Sequence, residues 1–126
     1  MKRAEGKKVE GYTMQLPVKE GTKISQAEMV ALDKDGYAVA AAKEENLKIV
    51  GVSKTSTNSI KGQEDTVLVE TGGFVFSQDG TIKETDITKD CYVADSATVT
   101  ITETASSKAG KIIGVEDGYV TVLIEA

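Results

Sequence analysis

Apolar and polar positions alternate most clearly through residues 28–53, and later stretches of the chain repeat that pattern. Val30 and Leu32 sit two apart, Asp33-Lys34-Asp35-Gly36 interrupts, and Tyr37 and Val39 again sit two apart. A period of two lines one face of a strand. The interruption carries turn chemistry, since Asp bonds nearby backbone and Gly accepts positive φ. The pattern predicts a hairpin of residues 29–32 and 37–40. The charged break Lys43-Glu44-Glu45-Asn46 follows, then a third strand over 47–53, where Gly51 marks a bend or a close backbone approach. The alanines of 38–42 are too few for a helix and read as a strand end in a small-residue contact.

The unit returns in the second half. Cys91-Tyr92-Val93-Ala94-Asp95 precedes Ser96-Ala97-Thr98-Val99-Thr100-Ile101, with Asp95 matching Asp33. Lys111-Ile112-Ile113-Gly114-Val115 differs from Lys48-Ile49-Val50-Gly51-Val52 only at Ile113 against Val50. Val122-Leu123-Ile124-Glu125 resembles Val67-Leu68-Val69-Glu70. The matches keep their order, which predicts two similar β-units joined around one core, because a lone hairpin is marginal in water.

Ahead of the first unit, Tyr12, Met14, Leu16 and Val18 alternate with Thr13, Gln15 and Pro17. That is a strand signal, and Pro17 places it at an edge or ends it. Residues 54–65 are polar without apolar spacing and form the longest expected loop, either a contact loop or a plain one. Gly72-Gly73 suggests a bulge or sharp bend, and Phe74 and Phe76 share a core face. Residues 81–85 read as a short returning strand, with Ile87 as a plug in the polar connection after it. Thr98, Thr100 and Thr102 mark a wet face. Tyr119–Ile124 is apolar on both faces, so it is central in a sheet or lies in a subunit contact. No helix of three turns is supported. Nine or ten short strands predict an all-β fold, a small barrel or compact β-sandwich.

Composition narrows the function classes. The 126 residues suit one domain, here 12–126, preceded by a flexible basic N-terminal arm at 1–11. No apolar run is long enough to span a membrane, and the start lacks a signal-peptide core. The formal charge is −5, yet the first eleven residues carry four basic and two acidic groups. The acidic body would repel a phosphate backbone, and the arm is either a solvated tail or a contact with an acidic partner. Lysines here alternate with acids rather than with aromatics, against nucleic-acid binding.

The chemistry is sparse. There is no histidine, which removes the usual proton shuttle and any Ser-His-Asp or Cys-His site within the chain. Cys91 is the one cysteine and reads as a small buried hydrophobe. Asp33-Lys34-Asp35-Gly36 resembles the start of a calcium loop, but Ala38 stands where that loop needs Gly, so a hairpin turn is favoured. No phosphate-binding glycine motif is present. Catalytic residues, metal ligands and cofactors are therefore expected to be none.

The chain also resembles the small capsid decoration, or cement, proteins of tailed bacteriophages. The stretches that carry this are 30–41, Lys48-Ile49-Val50-Gly51-Val52, Asp65-Thr66-Val67-Leu68-Val69 before Gly73-Phe74-Val75-Phe76, and Tyr92-Val93-Ala94-Asp95 with Thr98-Val99. Ala109-Gly110-Lys111-Ile112-Ile113-Gly114-Val115 and Gly118 complete them. The resemblance spans roughly residues 21–124 and rests on order and spacing. The family often carries Asp-Asn in the loop after the first Gly-Val; here that loop is Ser53-Lys54-Thr55-Ser56-Thr57-Asn58, which keeps an Asn.

The resemblance implies a non-catalytic protein that is made in the host cytoplasm and binds the outside of the expanded capsid. Its partner would be the major capsid protein, its own state a homo-trimer or homo-dimer, and neither nucleic acid nor membrane would be involved. Expected contact residues are Lys2, Arg3, Lys7 and Lys8 on the arm, Tyr12, Met14 and Gln15 on the first strand, and Lys54, Asn58 and Lys61 in the long loop. The alternative is a β accessory or ligand-binding module of a phage tail or cell-surface assembly.

Overall fold

The alternating stretches become short strands in the computed structural model, which describes residues 12–58 and 65–125. The first half holds β1 (Thr13–Val18), β2 (Lys23–Ile24), β3 (Met29–Leu32), β4 (Ala38–Ala40), β5 (Lys48–Ser53), β6 (Thr57–Asn58) and β7 (Asp65–Glu70). The second holds β8 (Gly72–Gln78), β9 (Asp90–Asp95), β10 (Thr98–Thr100), β11 (Lys108–Glu116) and β12 (Tyr119–Ile124). The single helical element among the described residues is a 3-10 turn, Glu84–Asp86.

The fold is all-β, and its barrel is two barrels. Strands β1-β4-β3-β5-β7 close one ring and β8-β10-β9-β11-β12 close another, while β2 and β6 pair separately. The rings have one plan. Each has a parallel seam (β1 with β4, β8 with β10), a hairpin (β3 with β4, β9 with β10) and antiparallel ladders elsewhere. In both, a bulge interrupts the pairing beside a glycine. Val30 meets Gly51 and Ala31 meets Ile49, skipping Val50; Cys91 meets Gly110 and Tyr92 meets Lys108, skipping Ala109.

The repeat read from the sequence is therefore present, in a different register. Gly51 corresponds to Gly110 rather than Gly114. A Cβ on Gly51 would lie 2.5 Å from Glu70 O, and one on Gly110 would lie 2.4 Å from Leu123 O. The strand after it matches likewise, Glu70 with Leu123, since these pair with Val52 and Lys111.

Inside the first barrel Val18, Ile24, Val30, Ala38, Val50, Val67 and Val69 form one cluster. A second cluster fills the other barrel with Phe76, Ile82, Cys91, Val93, Val99, Ile112, Val120, Val122 and Ile124, and it also takes in Met29, Ala31, Ile49 and Val52. So β3 and β5 are buried on both faces, one against their own barrel and one against its neighbour. Full burial of such side chains is worth about 1.5–3 kcal/mol each, which makes the junction part of the core. Hydrogen bonds cross it too. Met29 N–H donates to Ser96 O at 2.8 Å, Ser96 Oγ to Glu28 Oε2 at 2.6 Å, and Leu47 N–H to Ser107 Oγ at 3.0 Å.

Other expectations are settled one by one. The Asp33 turn forms: Asp33 Oδ1 accepts the N–H groups of Asp35 and Tyr37, and Gly36 has φ +86°. The hairpin strand begins at Ala38, which is buried, while Tyr37 is 44% exposed, so the apolar phase is one residue later than its spacing suggests. Phe76 is core and Phe74 packs against it. Residues 81–85 are not a strand; they lead into the 3-10 turn, and the buried plug is Ile82, not Ile87, which is exposed. Thr100 is buried rather than wet, because the segment that carries Thr81 lies against it. Its hydroxyl lies 3.2 Å from that of Thr81.

Candidate contact surface

The chain passes from the first barrel to the second at Thr71-Gly72, and Tyr12 is tied to that crossing. Thr71 N–H donates to Tyr12 O at 2.9 Å, and Tyr12 N–H donates to Thr71 Oγ1 at 2.9 Å. Tyr12 is 47% exposed. From there β1 runs antiparallel to β7 over six residue pairs, Thr13 with Glu70 through Val18 with Asp65. Backbone groups alternate sides along a strand. Tyr12 addresses the Thr71 side, so Pro17 addresses the other, where β4 meets β1 only at Val18 with Ala38. The missing N–H of Pro17 thus removes no ladder bond, which is how a proline fits a closed barrel.

The same alternation sorts the expected contact residues. Met14 is half-buried and packs on the first barrel's core, so only part of its side chain reaches the surface. Gln15 is exposed, and its Nε2 donates to Thr66 Oγ1 at 2.9 Å. It pairs with Leu68, whose carbonyl accepts Lys54 N–H at 2.8 Å. Gln15, Leu68 and Lys54 therefore make one exposed row across β1, β7 and the end of β5. Leu68 was not expected there; its place across from Gln15 follows from register, which the sequence does not display.

The expected long loop is partly built. Thr57-Asn58 pairs with β2, Thr57 Oγ1 donates to Thr66 O at 3.1 Å, and Gln26 N–H donates to Ser56 Oγ at 3.1 Å. Asn58 sits on β6 opposite Lys23. Lys2, Arg3, Lys7, Lys8 and Lys61 lie outside the described residues, as does the arm 1–11.

Two further surfaces stand out. A cleft of about 360 Å³ runs between the barrels, with Leu47 and Ile49 on one wall, Leu123 on the other and Lys48, Lys108 and Glu125 around it. The outer face of β8-β12-β11 shows Val75, Ile113 and Tyr119, each exposed. β12 is central between β8 and β11, in agreement with its two apolar faces.

Titrating groups serve the turns. The Tyr37 N–H holds the Asp33 carboxyl below the ordinary aspartate range. The Lys83 N–H and then the Lys89 ammonium do the same for Asp86, at 2.8 Å and 3.1 Å. Burial pushes the Cys91 thiol up to about 12, so the thiol stays protonated and inert. Among the described residues no group of three His, Cys, Asp or Glu side chains is placed to hold a metal ion. No family model matches the chain, and no curated protein matches it either.

Proposed function

We propose that this chain is a non-catalytic decoration protein that binds the outside of an expanded tailed-phage capsid and strengthens contacts between its subunits. The observation that carries the reading is the pair of barrels joined by a buried junction. Such a body holds the Gln15, Leu68 and Lys54 row at a fixed distance from surfaces on the second barrel. Rigid spacing lets several weak contacts act together, since each later contact is made at high effective concentration. Preference for the expanded shell alone would stabilise that state by mass action. The major capsid protein is the partner in this reading, and the virion surface is the location.

The test is co-sedimentation with unexpanded and expanded shells of the parent phage. Saturable binding to the expanded form only, weakened by Lys54→Glu, supports the reading. Absence of binding to both forms refutes it. The cleft between the barrels favours a second reading, an accessory module that takes a peptide or sugar there.

A further inference from the structure

Because the two barrels share one plan, each position in one has a counterpart in the other, and one pair of counterparts differs in what covers it. Leu32 with Ala38 and Val93 with Val99 are matched pairs of the two hairpins, with five residues between the partners of each, so by count Asp35 stands where Ser96 does, while a further pair, Thr98 with Asp95, tightens the second turn. In the second barrel that turn is covered. Met29 N–H donates to Ser96 O, and the Glu28 carboxylate accepts from the Ser96 hydroxyl. An extended piece of the first barrel, Glu28-Met29, is laid across the turn of the second.

Among the described residues the first barrel's turn has no such cover. Instead a groove of about 670 Å³ opens there, lined by Pro17, Val18, Asp35, Gly36, Tyr37 and Asp65, with Thr66 at its edge. Asp35 is exposed, Tyr37 is 44% exposed, and among the described residues no donor meets the Asp35 carbonyl. Among the described residues Asp33 Oδ2, at the base of the turn, has no hydrogen-bond partner, and Lys19 Nζ lies 3.8 Å from it.

We propose that this groove docks an extended basic segment of a partner protein, in the manner in which Glu28-Met29 covers Ser96. The backbone acceptor is kept, so an extended strand can donate an N–H to Asp35 O. The side-chain chemistry is reversed. A carboxylate meets a hydroxyl at Ser96, whereas Asp35 itself is the carboxylate, with Asp65 beside the groove. The occupant's side chain there must be a lysine or arginine, which pairs with the carboxylate and stacks on the exposed Tyr37 ring. The exposed Pro17 ring gives an apolar floor for the alternate residue of the strand. A second copy cannot supply its own Glu28-Met29, because Met29 is fully buried at that copy's own junction.

The inference stands apart from the capsid reading, since its test needs no capsid. The full chain, labelled with nitrogen-15, is titrated with a capped Lys-Val-Arg-Val-Lys peptide and with its Glu-Val-Glu-Val-Glu counterpart. Saturable amide shifts at Val18, Asp35, Gly36, Tyr37 and Thr66 with the basic peptide alone are expected. Asp35→Lys, on an exposed turn, should leave the melting temperature within about a degree and weaken binding at least tenfold. Asp35→Asn should fall between. Shifts that never saturate, equal response to the acidic peptide, or binding untouched by Asp35→Lys overturns the proposal. If deleting residues 1–11 moves these same amides while added peptide does not, the chain's own basic segment is the occupant and the partner proposal fails.

Discussion

Gly110→Ala tests the shared plan of the barrels most directly. A Cβ at Gly110 would stand 2.4 Å from Leu123 O and 2.8 Å from Val122 Cγ1. The carbonyl would have to retreat by about 0.6 Å to reach even 3.0 Å, and it belongs to the β11–β12 ladder, beside the bulge that skips Ala109. A methyl forced into a packed backbone contact destabilises by roughly 1–3 kcal/mol. We expect the upper half of that range, because backbone yields less than side chain. For a chain of this length each kcal/mol lowers Tm by about 4 °C, so a fall of about 8–12 °C is expected. Gly51→Ala should act alike, since its Cβ would meet Glu70 O at 2.5 Å and Val69 Cγ1 at 2.7 Å. Gly114→Ala is the control: its Cβ would lie 3.5 Å from Thr121 Cβ, an ordinary contact, and the effect should stay under about 0.5 kcal/mol. Urea unfolding of the three variants decides. If Gly110→Ala unfolds within about 0.5 kcal/mol of Gly114→Ala, the size of an ordinary surface effect, the close approach does not govern stability.

Three further outcomes follow from the same geometry. Ser107→Ala strips a hydroxyl that accepts Leu47 N–H at 3.0 Å and donates to Glu44 O at 2.5 Å, so it should destabilise by about 1–3 kcal/mol in urea unfolding. The Cys91 thiol keeps its proton in the fold up to about 12, whereas an unfolded thiol loses it near 9. Its contribution is therefore intact below 9 and is lost as pH rises from 9 to 12, and Cys91→Val should flatten that part of a stability-versus-pH curve relative to the parent. Asp86 has the opposite sign. Its folded carboxyl titrates below the ordinary value, so its contribution holds above about pH 4 and is lost as pH falls through the lower folded value. Asp86→Asn should show a smaller drop in urea midpoint between pH 5 and pH 2.5; an equal drop would refute the assignment.

Much of this fold is legible in the pattern of residues. Met29–Leu32 and Thr13–Val18 are strands where alternation places them, and the Asp33 turn closes on its own carboxylate. What alternation cannot show is register. The string match set Gly51 against Gly114, four residues from Gly110, and Val67 against Val122, two from Val120. Both slips are even numbers, and an even slip preserves which face is apolar, so the wrong alignment looks as good as the right one. The bulge at Ala109 is equally hidden, because a bulge is a local pairing event without a required residue beyond the nearby glycine. Of the contact surface, alternation already placed Gln15 outward and Met14 inward, and the exposure of Lys54 was readable, whereas the place of Leu68 beside Gln15 needed the register. The groove at Asp35 was not readable at all, since its meaning comes from comparison with Ser96 in three dimensions.

The narrow parallel seams have a consequence for how the molecule ages under heat. Each ring is fastened by its shortest pairing, one residue pair in the first barrel and two in the second. Release of that latch turns a ring into an open five-stranded sheet while every antiparallel ladder stays intact. Amides that fasten it, Lys19 to Ala38 O and Asp79 to Val99 O, should exchange with solvent at lower free energy than those of β3 or β12. The edges so bared are unequal. On β1 the position beside the latch is Pro17, which offers no donor to a foreign strand; on β8 the matching residue is Ser77, which does. Strand exchange between molecules, and the aggregation it seeds, should therefore begin at β8.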